Sequence, residues 1–166
     1  MTDLLDVLFR VVFESAIHAM APARSLRPKP ASPRMGIHAR RHVVASYRAW
    51  ARQHRWTAVK ETWEGTMCGL ATKVRTHLDG DLPPGAVEVN VAASTTREPA
   101  TLRGAEDAAA TLPELAPLFA DGVLARIRWT AEIVDFRFAP LTMPEPVTET
   151  CEAALAILLA PRSPYR

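Results

Sequence analysis

The sequence is poor in the residues that build cross-linked or metal-centred proteins. Only two of its 166 residues are cysteines, Cys68 and Cys151. Two distant cysteines provide neither a disulfide framework nor a cluster of metal ligands, so a disulfide-rich secreted scaffold is excluded. Such a chain suits a reducing compartment, and we expect a cytoplasmic protein in which both thiols are small buried groups.

Glycine and long uncharged apolar runs are also scarce. The chain has 7 glycines and 14 prolines, and 48% of its residues are hydrophobic. A hydrophobic fraction near the globular average excludes a collagen-like fibre and wholesale disorder. Charges interrupt the apolar stretch of residues 1–20, which argues against both a signal peptide and a transmembrane span. We therefore expect one globular domain with a substantial core.

Familiar catalytic motifs are missing as well. The sequence has no glycine-rich phosphate loop, no H-E-x-x-H and no G-x-S-x-G. His38 and His42 have a spacing that places two imidazoles on one helix face, but neighbouring arginines oppose a metal cation there. We predict no metal, cofactor or catalytic residue, and lean towards a protein that is not an enzyme. A small hydrolase or transferase remains an alternative. Its candidate catalytic residues are Cys68, His54, Asp79 and Asp81.

The charge that is present is distributed very unevenly. The basic residues are 17 arginines and 3 lysines, and the net charge at pH 7 is +2. Residues 1–20 have a net charge of −2, residues 21–60 of +10 and residues 61–166 of −6. A biased nucleotide composition of the coding sequence can explain the number of arginines, but it does not explain their positions. This polarity indicates either an electrostatic match within the chain or an anionic partner.

Residues 1–20 predict an amphipathic helix with a broad apolar surface. Their charged residues recur every three or four positions and so occupy one narrow stripe. Residues 21–36 contain four prolines and predict a basic polyproline II linker. The apolar surface of this helix could pack against its own domain, but we favour the interpretation that it docks on a partner. The side chains expected to contact that partner are Leu5, Leu8, Phe9, Val12, Phe13 and Ile17.

Residues 37–160 predict an α+β domain, followed by a tail at residues 161–166. We expect an antiparallel sheet of about five strands with helices packed mainly on one face. Helices are expected at residues 37–56 and 111–120, and from Pro144 or Pro146 to just before Pro161. The five strands are expected at residues 56–63, 66–78, 87–91, 123–130 and 133–138, with the first turn at Glu64-Gly65 and a loop at 93–105.

The helix expected at residues 37–56 has four arginines on one flank. At about 100° per residue they fall within an arc of about 60°, and no acidic residue lies three or four positions from any of them. Glu132 and Asp135, which stand among apolar residues, are the carboxylates we consider as partners for them. We predict that this arginine stripe binds anions; its members are Arg41, Arg48, Arg52 and Arg55.

These features favour a non-catalytic interaction subunit or adaptor. In this interpretation the apolar helix docks on another protein or on a second copy of the chain, and the arginine stripe orients the complex. The alternative is a nucleic-acid-binding module that uses the basic residues 21–60, with an anionic membrane surface as a weaker possibility. Tryptophans near the arginines would stack on bases in that alternative: Trp50, Trp56, Trp63 and Trp129.

Overall fold

The computed structural model describes residues 37–77 and 85–161. The predicted docking helix at residues 1–20 and linker at residues 21–36 lie outside the described residues, as do Asp79 and Asp81. The helices of the described part are α1 (Ile37–Gln53), α2 (Ala105–Thr111) and α3 (Pro144–Leu159), with a 3-10 helix at Pro113–Phe119.

The described strands form one antiparallel sheet with the order β1-β2-β3-β4-β7-β6-β5. This confirms the α+β class, but the sheet has seven strands rather than five. The two additional strands are the three-residue edge strands β1 and β5, which are too short to show a clear alternation in the sequence. The strands are β1 (Thr57–Val59), β2 (Thr62–Met67), β3 (Leu70–His77), β4 (Ala86–Ala92), β5 (Ala100–Leu102), β6 (Leu124–Trp129) and β7 (Ile133–Phe138).

The first hairpins turn at different residues from those expected. Glu64 and Gly65 lie inside β2, and the chain turns instead between Val59 and Thr62 and again at Cys68-Gly69. Cys68 and Gly69 have φ values of 52° and 76°, which are typical of a two-residue type I′ hairpin turn. A Cβ atom at Gly65 would overlap the Trp56 indole. Glycine is therefore needed in this strand for close packing and not for a turn.

One face of the sheet is buried. Residues alternate along the strands, and the side chains that point to this face form most of the core. Tyr47 of α1 stacks on Trp63 of β2, with ring centroids 5.1 Å apart, and its hydroxyl donates to the carbonyl of Thr142 over 3.0 Å. Helix α1 thus packs on the buried face, through a stripe consisting of Val43, Val44, Tyr47, Trp50 and Ala51.

Helix α3 follows the predicted pattern closely. Its inner stripe is fully buried and consists of Val147, Cys151, Ala154, Leu155 and Leu158. The helix starts at Pro144, where a missing N–H costs nothing, and ends before Pro161. The Arg97 guanidinium donates to the carbonyls of Ile157 and Leu158, over 2.8 and 3.3 Å. These bonds satisfy two carbonyls that the helix itself leaves without partners.

Helix α1 ends earlier than expected, at Gln53 rather than Trp56. The amide of Trp56 donates to the carbonyl of Ala51, and that of Arg55 donates to the carbonyl of Arg52. Arg55 has a φ of 58°, so this pattern is a Schellman C-cap with arginine in the left-handed position. As a consequence Arg55 is not on the helix, and His54, which follows the last helical residue, is exposed.

Candidate anion-binding site

The second face of the sheet carries polar and charged side chains. Pairing places two rows of them side by side across the central strands. Many are well exposed, as the side chains of Lys73 (52%) and Arg128 (53%) illustrate. We call this surface the open face, and its charged or amide-bearing members are Glu64, Lys73, Arg75, Glu88, Asn90, Arg126, Arg128, Asp135 and Arg137.

Glu88 is at the centre of one row. It lies opposite Arg75 on β3 and opposite Arg137 on β7. Arg137 Nη2 donates to Glu88 Oε1 over 2.9 Å, and His77 Nε2 lies 2.8 Å from Glu88 Oε2. Burial raises the pKa of Glu88, but the hydrogen bonds and charges of His77 and Arg137 outweigh it and hold the pKa below its ordinary value of 4.5. The surroundings of Glu88 therefore favour the charged form of its carboxyl group.

Arg126 extends this row beyond Arg137. A register shift between Leu124 and Arg126 brings Arg126 directly opposite Arg137. Arg126 Nη2 lies 3.9 Å from Glu88 Oε1, while its Nε is buried and has no hydrogen-bond partner. Burial and the neighbouring Arg137 charge lower the pKa of Arg126, and Glu88 only partly compensates. One carboxylate is thus shared by two guanidinium groups, which leaves the row with a surplus of positive charge.

Asp135 organises the second row. Its Oδ1 accepts a hydrogen bond of 2.6 Å from Asn90 Nδ2, and its Oδ2 accepts one of 2.7 Å from Arg128 Nε and a second from Arg128 Nη2. Asp135 was one of two carboxylates considered as partners for the arginine stripe. This expectation is wrong, because Asp135 pairs with Arg128, and the exposed Glu132 forms no ion pair with any described residue.

The arginine stripe is exposed throughout: Arg41, Arg48, Arg52 and Arg55. Within residues 37–77 and 85–161, none of these four guanidinium groups forms an ion pair or hydrogen bond. Arg41, Arg48 and Arg52 lie on α1, whereas Arg55 lies in the turn that follows it. The surface around α1 therefore offers positive charge that no described carboxylate neutralises.

Arg48 also contributes to a hollow of about 800 Å³ at the turn between β1 and β2. We call it the β1–β2 hollow. Its charged lining consists of Arg48, Lys60, Glu61, Glu64, Lys73 and Arg75, with His77 beside them. The remaining lining residues are Val59, Thr62 and Thr76. Thr76 is 1% exposed, and its hydroxyl oxygen has no hydrogen-bond partner. The hollow therefore has a mostly basic lining, whereas the Thr76 hydroxyl is enclosed by the protein.

The groups considered for catalysis or metal binding are not assembled in the described residues. Cys68 is exposed in its hairpin turn, contrary to the expected buried thiol, and it forms no hydrogen bond with His54 or His77. His77 is engaged by Glu88. The described ranges contain no group of three histidine, cysteine, aspartate or glutamate residues that could hold a metal ion. No described helix is both long and apolar enough to cross a membrane.

The tryptophans do not form a stacking surface. Trp50, Trp63 and Trp129 are 7%, 0% and 3% exposed. Trp56 is half-buried and packs edge-to-face against Trp50, with ring centroids 4.7 Å apart. Stacking on bases requires rings that are open to solvent. The described tryptophans instead contribute to the packing of the hydrophobic core.

Several residues of these surfaces were not singled out in the sequence. The alternation of Lys73, Arg75 and His77 with buried residues does predict their shared face, and the structure confirms it. Arg126 and Thr76 become noticeable only once register and packing are known, because nothing in their local sequence marks them. Comparison with protein-family models, curated proteins and solved structures finds no match to this chain.

Proposed function

We propose that the protein is a non-catalytic interaction subunit that binds an acidic partner protein. The observation that carries this proposal is the surplus of positive charge on the open face. Five basic side chains there accompany three carboxylates. Complementary charge of this kind orients a partner and accelerates association. The exposed arginine stripe adds further cations on α1.

The mixed signs of the open face favour a protein over a nucleic acid. Glu88 lies between two arginines, and Glu64 and Asp135 each lie next to one basic residue; each carboxylate would repel a continuous polyanion. A protein surface can instead place basic groups opposite these carboxylates and acidic groups opposite the arginines. The buried tryptophans supply no base-stacking rings in the described domain. Nucleic-acid binding through the basic residues 21–60 is the second candidate, favoured by the unpaired arginine stripe.

In this proposal the segment before the described domain provides an apolar anchor. Its sequence pattern places a broad apolar surface on the helix predicted at residues 1–20. Apolar contact would supply binding energy, and the charged surfaces would supply orientation. The anchor would engage the same partner or a second copy of the chain. Its proposed contact residues are Leu5, Leu8, Phe9, Val12, Phe13 and Ile17.

The test compares three anionic probes against the full chain: polyglutamate, a single-stranded DNA oligonucleotide of equal charge and phosphatidylserine vesicles. We expect polyglutamate to bind most tightly at matched charge, with an affinity that falls as salt is raised. The double variant K73Q/R75Q should weaken polyglutamate binding by about tenfold, since it removes two basic groups of the open face. R103Q is the control, compared per charge removed, because Arg103 is exposed but lies outside this face.

Three results would overturn the proposal. The first is the absence of polyglutamate binding at low salt. The second is an equal loss of binding free energy per charge removed in R103Q and K73Q/R75Q, which would show that only total charge matters. The third is tighter binding of the oligonucleotide than of polyglutamate, which would support the nucleic-acid candidate. Mass measurement by light scattering, with and without residues 1–36, tests the anchor separately.

A further inference from the structure

The register of β6 and β7 places two positive charges directly opposite one another on the open face. Leu124 pairs with Phe138. One step further along both strands, regular pairing would bring Ala125 opposite Arg137. The register shift adds one residue to β6 at this point, so that Arg126 takes the position opposite Arg137 instead. Like charges opposite one another across neighbouring strands destabilise a sheet. The fold therefore maintains an unfavourable pair that a regular strand would have avoided.

Arg126 lacks the hydrogen bonds that a shielded guanidinium group normally makes. Only 23% of its side chain is exposed, yet its side-chain N–H groups donate no hydrogen bond to any described residue. Its ion-pair partner, Glu88 Oε1, lies 3.9 Å away and already accepts hydrogen bonds from Nε and Nη2 of Arg137. A shielded charge is unfavourable unless it is both paired and hydrogen-bonded. The domain by itself therefore leaves Arg126 incompletely compensated.

The two guanidinium groups converge on one point of the open face. Arg126 Nη2 and Arg137 Nη2 both approach Glu88 Oε1, over 3.9 and 2.9 Å. Because Nε of Arg126 is enclosed by the protein, the terminal nitrogens of this side chain are the ones that can contact a ligand. Arg137 uses Nε and Nη2 for Glu88, and its Nη1 donates to no residue of the described ranges. The two oxygens of one carboxylate can each accept a hydrogen bond of about 2.9 Å from a different arginine of such a pair.

The charge of this cluster suits a single carboxylate. Arg126, Arg137 and Glu88 have a combined charge of +1, and the neighbouring ion pair of the second row adds none. His77, which contacts the other oxygen of Glu88, adds none while it is neutral. One carboxylate therefore neutralises the surplus, whereas a phosphate group, with a charge of about −1.5 to −2 at pH 7, exceeds it. The cluster is thus matched to the side chain of one aspartate or glutamate.

We propose that Arg126 and Arg137 form a carboxylate-binding subsite that receives one aspartate or glutamate side chain of the acidic partner. This inference rests on the proposed function and identifies the contact that dominates it. Glu88 lies on β4, the central strand of the sheet, and Arg137 lies on the adjacent β7. The subsite is therefore near the middle of the open face, where the residues that contribute most to binding cluster. The partner's carboxylate supplies the hydrogen bonds that Arg126 lacks. Lys73 gains less, because Glu64 already pairs with it.

The first experiment locates the subsite with small anions added to the full chain. Acetate and inorganic phosphate are titrated separately, and NMR follows the Nε–H signals of the arginine side chains. We expect acetate to shift the signals of Arg126 and Arg137 more than that of the exposed Arg103, which lies outside the open face. Acetate should produce these shifts at a lower concentration than phosphate, because one negative charge matches the cluster.

The second experiment measures polyglutamate affinity in matched arginine variants of one row. R126Q should weaken binding by about tenfold and R75Q by about threefold, since Arg75 is exposed and its charge is screened by solvent. R126K keeps the charge but not the planar fork of N–H donors, and should restore only part of the affinity. R126Q should not lower the melting temperature, because it removes a charge that the domain leaves incompletely compensated.

The subsite is overturned if R126Q loses no more affinity than R75Q, if acetate leaves both arginine signals unmoved, or if phosphate shifts them at a lower concentration than acetate. A loss of affinity in R126Q together with a lower melting temperature would assign Arg126 a structural role, and would also overturn it. Failure of the proposed function is a separate result, the absence of polyglutamate binding to the parent chain. Acetate shifts at Arg126 and Arg137 would then support the carboxylate subsite and overturn only the acidic partner.

Discussion

Glu88 on β4 lies directly opposite Arg137 on β7, and Arg137 Nη2 donates to Glu88 Oε1 over 2.9 Å. The same carboxyl group contacts His77 and lies 3.9 Å from Arg126. It is therefore the main counter-charge for one side of the open face. With 21% of its side chain exposed, Glu88 is shielded from water more than an ordinary surface carboxylate. Its removal would leave half-buried guanidinium groups facing one another.

Substitution of Glu88 by glutamine should destabilise the protein. E88Q keeps the size of the side chain but removes the charge shared by Arg126 and Arg137. We expect a loss of about 1–3 kcal/mol in the free energy of unfolding, measured by chemical denaturation. E64Q is the control, because Glu64 and Lys73 form an exposed pair of a type that contributes about 0–1 kcal/mol. Equal losses in the two variants would contradict this account of the row.

The contribution of Glu88 should depend on pH. Its pKa is lower in the folded protein than the ordinary value of 4.5, so the folded state keeps the carboxylate charged at a pH where the unfolded chain takes up a proton. The stabilisation is present above pH 4.5 and is lost as the pH falls through the folded pKa. The stability difference between the parent and E88Q should therefore shrink in acid. Denaturation curves at several pH values measure it, and a constant difference would contradict the lowered pKa.

Much of the architecture can be predicted from the sequence where a pattern is long. The buried stripe of α3 repeats over about three turns between two prolines, and both its position and its inner residues are confirmed. Strand β7 likewise begins and ends where the alternation predicts. The first hairpins were misplaced because glycine usually marks a turn. Gly65 instead makes room for Trp56, a contact between residues that local propensity does not reveal.

The candidate sites could be predicted only in part. The arginine stripe follows from helical geometry, and the exposure of Arg48 and Arg52 agrees with it. Arg55 is not on the helix because it is the left-handed residue of the Schellman turn, which side-chain periodicity does not show. The β1–β2 hollow needs the turn at residues 60–61 and the position of α1 beside β1. Both result from tertiary packing, so Thr76 could not be distinguished from any other buried threonine of a strand.

The two cysteines should differ sharply in reactivity. Cys68 is exposed at the β2–β3 turn, whereas Cys151 is 0% exposed on α3. Burial raises the pKa of the Cys151 thiol, and the neighbouring charge of Glu152 adds to this effect, so the reactive thiolate is suppressed. A thiol reagent should modify Cys68 in the native protein and both cysteines after unfolding. C68S should abolish the native reaction. Native modification of Cys151 in that variant would contradict the packing of α3.

Gly65 should not tolerate a side chain. A Cβ atom at this position would overlap the Trp56 indole, so G65A must displace the ring or the strand, and we expect a loss of about 1–3 kcal/mol in the free energy of unfolding. G104A is the control, because no atom lies within 4 Å of a Cβ at Gly104. If overlap with the indole causes the loss, the cost of G65A should fall in a W56A background, as a double-mutant cycle measures. An equal cost in both backgrounds would show that Gly65 is required for the backbone of β2 and not for the packing of Trp56.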